Sequence, residues 1–394
     1  MGRASLIQNA FNAGELSSLM LGRQDVDKYA AGLFVCLNAI PLTQGAWTRR
    51  PGTAYLHQCK HHDKLARVIP FQYSITQTYI LEFGENYIRF FTEHGILTKT
   101  TQDITGITKA STAVVTYSGS DTYANDERVF ITGVVGMTQV NNREFVVKNV
   151  DTGANTFELY ETDGTTPVNS TGYDTYSSDG TVGEILEIVT DFDEEDLADI
   201  RVTQSADTLY ILHPLYPPQT LVRTSATSWT LSDISFTDGP YDSLNTTTTT
   251  LTPSAATGTV TITASAVTGI NNNTGFQTTD VGRLIRIQEG STWSYCEITA
   301  RASTVSVTAV VYETLTNTSA KVNWRLGIWS ETTGWPRAAT FFEDRLVMGG
   351  AAVYPQRIDF SRTGRYSNFS PSANAGTVAD DNAVAFTMNS NDVN

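Results

Sequence analysis

The sequence has few cysteines. Only Cys36, Cys59 and Cys296 occur in 394 residues, and they are widely spaced and odd in number. They form no C-x-x-C pair and no pattern typical of a disulfide framework. We therefore expect the chain to be made in a reducing cytoplasm.

Long apolar segments are also lacking. No stretch approaches the length of about 18 apolar residues that a membrane-spanning helix needs. The opening residues, MGRASLIQNAFNAGELS, contain an apolar run that is too short and too broken for a signal peptide. The sequence therefore predicts neither a membrane span nor a signal peptide.

Positive charge is scarce. The chain has 26 Lys and Arg against 41 Asp and Glu, which gives a formal net charge of −15. This balance argues against general nucleic-acid binding through a basic surface. An acidic surface also keeps a protein soluble, so the charge alone does not identify a function.

Catalytic signatures are missing as well. The sequence contains no G-x-x-x-x-G-K-[ST], no G-x-S-x-G, no H-E-x-x-H and no G-x-G-x-x-G after a strand. Its five His lie in no recognisable motif. We therefore expect no enzyme activity, no cofactor and no metal site, although the carboxylates of a glycosidase need no local signature.

What the chain does contain favours strands. Charged residues make up only 17% and hydrophobic residues 40%, with abundant Thr, Ser, Gly, Val and Tyr. This composition is typical of β-proteins rather than helical ones. A length of 394 residues is enough for two or three domains.

One unit is repeated along the chain. Its clearest copy runs from Asp344 to Tyr366, and a second runs from Asp207 to Trp229. In both copies eleven positions separate the aspartate from a Pro-Gln pair, and eleven more separate that proline from the aromatic residue. A weaker copy without Pro-Gln runs from Gln77 to Phe90. Any two β-hairpins share part of this pattern, but two matching spacings favour a repeat. In the clearest copy we expect Gly349-Gly350 to form a turn.

Two Thr/Ser/Gly-rich segments lie between the copies. Without them the repeat is about 50 residues long, the size of a kelch-type propeller blade. The sequence thus predicts an all-β fold, a partial β-propeller of blade-like repeats interrupted by two small β-domain insertions. The predicted divisions are an N-terminal arm with the first blades at 1–108, an inserted β-domain at 109–189, a blade at 190–240, a second insertion at 241–322 and a blade at 323–394. The Thr run 246–250 is expected to be a mobile linker.

Several residue groups are candidate sites. One could suggest a metal site, at Cys59-Lys60-His61-His62-Asp63. The spacing is wrong for structural zinc, and adjacent side chains on a strand point to opposite faces, so a polar loop is favoured.

A second group could suggest a calcium site, formed by Asp121, Asn125, Asp126 and Asp163. Because the sequence has no D-x-D-x-D-G loop, these residues are interpreted as turn residues.

The acidic run from Asp191 to Asp199 has two interpretations. Paired carboxylates are what a glycosidase requires. Acidic residues in the first turn of a short helix, with Arg201 at its end, are equally what helix electrostatics favour, and we prefer this interpretation. Trp293 and Tyr295 could stack on a sugar, but core aromatics of a small β-domain are the favoured interpretation.

An ordered set of motifs gives a family resemblance. The opening motifs are Gly14-Glu15-Leu16-Ser17, Gly22-Arg23-Gln24-Asp25, Lys28-Tyr29 and Arg49-Arg50-Pro51-Gly52-Thr53. Further along are Asp280-Val281-Gly282-Arg283 with Trp293, then Gly334-Trp335-Pro336, Phe341 to Leu346, Ser361-Arg362-Thr363, Tyr366, Asn368-Phe369 and Asp380-Asp381. In this order they resemble the tail tubular (nozzle) proteins of short-tailed bacteriophages, over nearly the whole chain.

The resemblance implies a structural role in a virion. It implies a homo-hexameric ring in the tail, below the portal and an adaptor ring and near the tail fibres, with phage DNA passing through its lumen. Synthesis in the host bacterial cytoplasm is implied too. An acidic wall would repel phosphate and let DNA pass. The family's blade pattern continues further than this chain, which ends at Asn394, so we expect either a fragment or a propeller completed by a second polypeptide.

Arg49 and Arg50 are the candidate contact residues. They could bind DNA or an acidic neighbour, or they could be solvated or ion-paired arginines of a turn, which is the favoured interpretation. The alternative to the nozzle function is a carbohydrate-binding or carbohydrate-cleaving tail adhesin. A general propeller scaffold is a third possibility.

Overall fold

The structure is a computed structural model that describes residues 7–75, 77–120 and 122–388. Within these ranges it contains 29 β-strands and six short 3-10 helices, and no α-helix. The prediction of an all-β chain is therefore confirmed. The chain divides into two compact units, Met1–His57 and Gln58–Asn394, which we call the N-terminal unit and the large unit.

The N-terminal unit has very little regular structure. Strands β1 (Gly14–Glu15) and β2 (Gly32–Leu33) pair in parallel, and β3 (Ala39–Pro41) and β4 (Trp47–Arg49) form an antiparallel hairpin. Its 3-10 helices span Ser18–Met20 and Asp27–Ala31. No large apolar side chain of its described residues is buried, so hydrogen bonds rather than a core hold this unit together.

The large unit begins with an antiparallel sheet, sheet A. Its first strands are β5 (Arg67–Gln72), β6 (Thr78–Gly84) and β7 (Tyr87–Thr92), with the short β8 (Gly95–Ile96) beside β7. Buried and exposed residues alternate along β5, with Ile69 and Phe71 buried, as expected when one face of a strand is buried. A fourth full strand joins this sheet from further along the chain.

A closed six-stranded barrel follows sheet A. Its strands are β9 (Thr98–Ile107), β10 (Val114–Ser118), β11 (Arg128–Thr132), β12 (Arg143–Asp151), β13 (Thr156–Tyr160) and β14 (Thr181–Ile185), in the order β10-β13-β12-β11-β14-β9. A 3-10 helix covers Thr138–Val140. The barrel encloses its own apolar core, so it is a separate packing unit. It includes β9, which precedes the sequence-based boundary at 109.

The chain then returns to the first sheet and builds a second. Strand β15 (Glu187–Val189) pairs with β7 and completes sheet A in the order β15-β7-β6-β5. After a 3-10 helix at Glu194–Ala198, sheet B forms from β16 (Arg201–Ser205), β17 (Thr208–His213), β18 (Tyr216–Arg223) and β19 (Trp229–Asp233), paired in sequence order. The barrel is thus inserted before the last strand of sheet A.

A second module lies between sheet B and the final sheet. Its strands are β20 (Leu251–Pro253), β21 (Gly258–Ala264), β22 (Leu284–Glu289), β23 (Thr292–Ser303), β24 (Ser306–Val311) and β25 (Trp324–Leu326), in the order β20-β21-β24-β23-β22-β25. Short 3-10 helices span Asn271–Asn273 and Thr278–Asp280. These strands also share an apolar core of their own.

The Thr run is not a mobile linker, so that prediction was wrong. The side-chain amide of Asn245 donates to the carbonyl oxygens of Thr247 at 3.1 Å and Thr249 at 3.0 Å. The Thr249 hydroxyl is buried and donates to the carbonyl oxygen of Thr268 at 2.7 Å. The asparagine thus organises the run into a fixed loop.

The last sheet, sheet C, has the same four-stranded form. It contains β26 (Ala338–Phe342), β27 (Arg345–Ala351), β28 (Tyr354–Phe360) and β29 (Val384–Thr387), paired in sequence order. The predicted turn at Gly349-Gly350 was wrong, because both residues lie within β27. The register between β27 and β28 shifts between Gly349 and Ala351, and Gly350 has a φ of +84°, so the glycine pair lies at an irregularity of the strand pairing instead.

Sheets A, B and C stack face to face, with sheet B in the middle. Strand β17 shows this arrangement because it is buried on both faces. Leu209 and Ile211 enter the core shared with sheet A, whereas Tyr210 and Leu212 enter the core shared with sheet C. Successive side chains on a strand point to opposite faces, so a single strand can serve both layers.

The three copies of the repeat occupy equivalent places in these sheets. They supply the central hairpins β6–β7, β17–β18 and β27–β28. The aromatic residue of each Pro-Gln copy packs on the preceding sheet. Trp229 lies 4.8 Å from Phe71 of sheet A between ring centroids, and Tyr366 lies 6.5 Å from Tyr210 of sheet B. The repeated aromatic therefore contributes to the contact between consecutive sheets.

Candidate functional site

The predicted contact residues Arg49 and Arg50 lie at the end of the β3–β4 hairpin. Both side chains are exposed. The backbone N–H of Arg50 donates to the carbonyl oxygen of Asn38 at 2.9 Å, and its Nε donates to Asn38 Oδ1 at 3.3 Å. Asn38 adopts a positive φ of +54°, which an asparagine tolerates and which turns the chain into the hairpin. Local hydrogen bonds therefore fix the backbone of this pair and leave two positive charges facing outward.

Large apolar side chains are also exposed on this hairpin and in the residues just before it. Trp47 is 55% exposed, and Phe34 and Leu37 are 70% and 78% exposed. Exposed apolar side chains that group on one surface mark interaction sites. We call Phe34, Leu37, Trp47, Arg49 and Arg50 the arm surface and treat it as a candidate contact for a protein partner.

The stretch from Cys59 to Asp63 lies outside the strands, as predicted for a polar loop. The His61 ring meets the Tyr87 ring edge-on at 5.8 Å between centroids. Lys60 forms an ion pair with Glu187. No group of three or more His, Cys, Asp or Glu residues that could hold a metal ion is present in residues 7–75, 77–120 and 122–388.

The candidate calcium residues are turn residues where they are described. Asp163 Oδ1 accepts from the backbone N–H groups of Thr165 at 2.9 Å and Thr166 at 2.8 Å. Asp126 has a φ of +74°, as residues in tight turns often do. Asp121 lies outside the described residues.

The acidic run forms the predicted short helix, as a 3-10 helix rather than an α-helix. The backbone N–H of Asp193 donates to Asp196 Oδ2 at 3.0 Å. Arg201 Nη1 donates to the carbonyl oxygen of Ala198 at 2.8 Å at the other end. These groups cap the helix, so the structural interpretation of the run is the one that the geometry supports.

Asp196 also contacts two side chains of sheet B. The Tyr216 hydroxyl donates to Asp196 Oδ2 at 2.8 Å, and His213 Nε2 lies 3.7 Å from Asp196 Oδ1. Burial lowers the pKa of His213, against the opposing effect of Asp196. Burial and the hydrogen bond to Asp196 raise the pKa of Tyr216 to about 12. The histidine is therefore neutral at physiological pH and packs as a buried polar residue.

Trp293 and Tyr295 are not core aromatics, so that prediction was wrong. Both are half-buried and neither belongs to the apolar core of the second module. The guanidinium groups of Arg286 and Arg325 lie 4.9 Å and 5.6 Å from the Trp293 ring centroid. Cation–π contacts therefore occupy the aromatic surface that a sugar would need.

A buried ion pair connects the second module to the segments on either side of it. Arg286 is fully buried, and its Nε lies 3.2 Å from Asp238 Oδ1. Its Nη2 donates to the carbonyl oxygen of Ser372 at 3.0 Å. The Tyr241 hydroxyl donates to Asp238 Oδ1 at 2.8 Å. Burial raises the pKa of Asp238 although Arg286 opposes the effect. One arginine of the insertion thus binds residues that precede it and follow it in the chain.

A second buried ion pair connects the barrel to sheet A. Arg89 of β7 donates from Nη1 and Nη2 to the two carboxylate oxygens of Glu144 of β12, both at 3.0 Å, and from Nε to Glu187 Oε2 at 3.0 Å. Burial acts to raise the pKa of Glu144, but the guanidinium groups of Arg89 and Arg128 hold it below its ordinary value. Both insertions are therefore fixed to the stacked sheets by buried arginines.

The sequence reasoning missed Arg89, Glu144, Asp238 and Arg286. The available signal is a single charged residue inside an otherwise apolar strand, as in Tyr-Ile-Arg-Phe-Phe at 87–91 and Leu-Ile-Arg-Ile at 284–287. A charge that must be buried needs a partner, but the sequence does not say where that partner lies.

An open cleft of about 330 Å³ lies between the end of sheet B and the second module. Pro217, Ile234, Trp329, Trp335 and Glu331 are among its lining residues.

No helix among the described residues is long and apolar enough to cross a membrane.

No protein-family model and no curated protein matches this chain. Among solved structures the chain is similar to Phage phi92 endosialidase, with 9% sequence identity and a TM-score of 0.18. The similarity covers 88% of this chain and 62% of that chain, so the chain spans less than two thirds of its length.

Proposed function

We propose that the chain is a structural protein of a short-tailed bacteriophage tail. In this proposal it is a nozzle subunit that forms a homo-hexameric ring and continues the DNA channel below the portal and adaptor. It belongs to the virion and is made in the host bacterial cytoplasm. The observation that carries the proposal is the stack of sheets A, B and C, whose central hairpins are the three repeat copies, in a chain whose motifs resemble those of the nozzle family in the same order.

The stack supports a partial β-propeller. Blades of a propeller are four-stranded antiparallel sheets that pack face to face in chain order. Sheets A, B and C stack in this way, and sheet A carries the short β8 in addition to its four main strands. The outer face of sheet C carries Phe342 and Phe386, which are 56% and 58% exposed. In the proposal this face receives a further blade, and the barrel and the second module are insertions that widen the ring wall.

The buried arginines suit a protein that must keep its modules in place under mechanical force. Arg89 and Arg286 each hold an inserted module by several charge-assisted hydrogen bonds or ion pairs at once. Removing Arg286 would leave Asp238 buried without its ion-pair partner, which is costly. Removing Arg89 would leave Glu144 buried with Arg128 as its remaining ion-pair partner. Modules held this way keep their positions while DNA passes. The net charge of −15 adds a surface that repels phosphate.

The carbohydrate adhesin is not favoured by the aromatic residues first considered for it. Guanidinium groups lie over Trp293, and the rings of Tyr295 and Tyr312 stack on each other at 5.5 Å between centroids. The acids near Asp193 cap a helix and bind Tyr216.

The test is immunogold labelling of virions with an antibody raised against the purified chain. Label at the tail, below the portal vertex, is the expected result. Label confined to peripheral fibres would contradict the nozzle function and favour the adhesin, and saccharide binding by the purified chain would support that alternative further.

A further inference from the structure

The described part of the N-terminal unit buries none of its large apolar side chains and exposes many of them. The exposed large apolar side chains of the whole described chain number 28, and eleven of them lie in residues 7–57. They are Ile7, Leu19, Leu21, Phe34, Val35, Leu37, Ile40, Leu42, Trp47, Tyr55 and Leu56. The much longer large unit holds the other seventeen. A segment of this size rarely builds its own core, and the described residues of this one do not form one.

The backbone of the unit is nevertheless well defined by hydrogen bonds. The N–H of Phe11 donates to the carbonyl oxygen of Gly45 at 2.7 Å, and the N–H of Leu16 donates to that of Leu33 at 2.9 Å. A Cβ added at Gly32 would lie 2.3 Å from Leu16 Cδ1, so these two chain segments are in close contact. The hydrogen-bonded backbone therefore holds the exposed apolar side chains in defined positions, from which they can contact another protein surface.

Charge indicates what that surface is. Five of the 26 basic residues and three of the 41 acidic residues lie in 1–57, a formal charge of +2. This leaves 21 basic and 38 acidic residues, a formal charge of −17, in 58–394. A positively charged apolar unit is complementary to the negatively charged large unit of this chain.

We propose that the N-terminal unit docks on the large unit of a neighbouring copy of the chain. The arm surface supplies the contact, with Phe34, Leu37 and Trp47 buried in the interface and Arg49 and Arg50 facing carboxylates. The docking rests on the proposed ring, in which every N-terminal unit has the acidic large unit of a second copy beside it. Such a head-to-tail contact closes a ring when the rotation between copies is right.

The apolar part is tested with the full chain and a double variant. In Phe34→Ser/Leu37→Ser we expect ring assembly, followed by sedimentation velocity, to require at least tenfold more protein than in the wild type. The matched control is Ile75→Ser/Leu215→Ser, at two exposed positions of the large unit, which is expected to assemble as the wild type does. Rings that form equally well in both variants would overturn the docking.

The charge part is tested by reversal. Arg49→Glu/Arg50→Glu is expected to weaken assembly at low salt and to reduce its salt dependence. Lys109→Glu/Arg365→Glu reverses the same number of exposed charges in the large unit and is the control. Equal assembly and equal salt dependence in both double variants would contradict a role for the arginine pair.

The identity of the occupant is tested by cross-linking. Lys28 is exposed and is the only lysine in 1–57. Chains labelled with ¹⁵N are assembled with unlabelled chains and treated with a carbodiimide, which joins amines to carboxylates. Lys28 cross-linked to large-unit peptides in mixed isotope pairs is the expected result. Only unmixed pairs would show docking on the same chain and overturn the proposal.

The failure of the ring and the failure of the docking can be told apart. Wild-type chains that stay monomeric would overturn the ring itself. Rings that form in the wild type and equally well in Phe34→Ser/Leu37→Ser and Arg49→Glu/Arg50→Glu would overturn the docking alone.

Discussion

The guanidinium of Arg89 and the carboxylate of Glu144 face each other with two parallel hydrogen bonds of 3.0 Å each, although 55 positions separate them in the sequence. The arginine is completely buried, and Glu144 is nearly so. This pair joins a strand of sheet A to a strand of the inserted barrel.

Arg89→Met is therefore expected to lower the free energy of unfolding by about 3–5 kcal/mol, because it leaves Glu144 buried without its main partner. Urea denaturation measures the change. The control is Lys99→Met, which removes a more exposed ion pair with Glu184 and should cost less than about 1 kcal/mol. Equal costs in the two variants would show that the buried pair does not couple the barrel to the sheet.

The second insertion depends on Arg286 in the same way. Arg286→Met should cost about 3–5 kcal/mol, since Asp238 stays buried. It should also speed hydrogen exchange in Leu284–Glu289. Asp238→Asn/Arg286→Met removes the uncompensated charge and should recover part of the loss. A double variant that is no more stable than Arg286→Met would contradict this explanation.

Trp229 packs between sheets A and B, where its ring lies 5.2 Å from Tyr79 and 4.6 Å from Phe90 between centroids. Trp229→Ala should lower the free energy of unfolding by about 3–5 kcal/mol, through lost contacts and a cavity. Trp47→Ala, at a residue 55% exposed, is the matched control and should change stability by less than about 0.5 kcal/mol in unassembled chains. A small cost at Trp229 would contradict the stacked-sheet core.

Stability should also depend on His213. Burial lowers its folded-state pKa below the ordinary value of 6.5, while Asp196 and Asp199 raise it and Arg337 lowers it. Below pH 6.5 the unfolded state binds more protons, so this contribution is present above pH 6.5 and is lost as the pH falls towards the folded-state pKa.

The variant His213→Asn keeps an acceptor for the N–H of Leu215, which donates to Nδ1 at 3.3 Å, and does not titrate. Its unfolding free energy should fall less between pH 7 and pH 5 than that of the wild type. His94→Asn, at an exposed position, should leave the wild-type slope unchanged. The same slope in all three proteins would mean that His213 does not titrate on unfolding.

Much of the fold could be predicted from local pattern. Alternation along Val260 to Ala264 marks a strand, because one face is buried and the other is not. The repeat copies mark hairpins because their turn and strand residues recur at fixed spacing. These signals are local, so the sequence shows them directly.

Other features depend on contacts that the sequence does not display. Gly350 lies within a strand instead of a turn because β27 continues past it to pair with β28, with a shift of register at this point. Trp293 meets arginines instead of a core because the C-terminal segment reaches it, its backbone N–H donating to the carbonyl oxygen of Asn374 at 2.6 Å. The N-terminal unit has ordinary apolar content, and only the structure shows that its described part has no core.

Ring formation from stacked β-sheets is what the proposed function requires of this chain. Negative-stain imaging of the purified full chain, with its mass measured by native mass spectrometry, is the decisive measurement. We expect closed rings with six-fold symmetry and the mass of six copies of a 43.0 kDa chain. A homogeneous population of 43.0 kDa monomers, at concentrations where tail rings assemble, would contradict it.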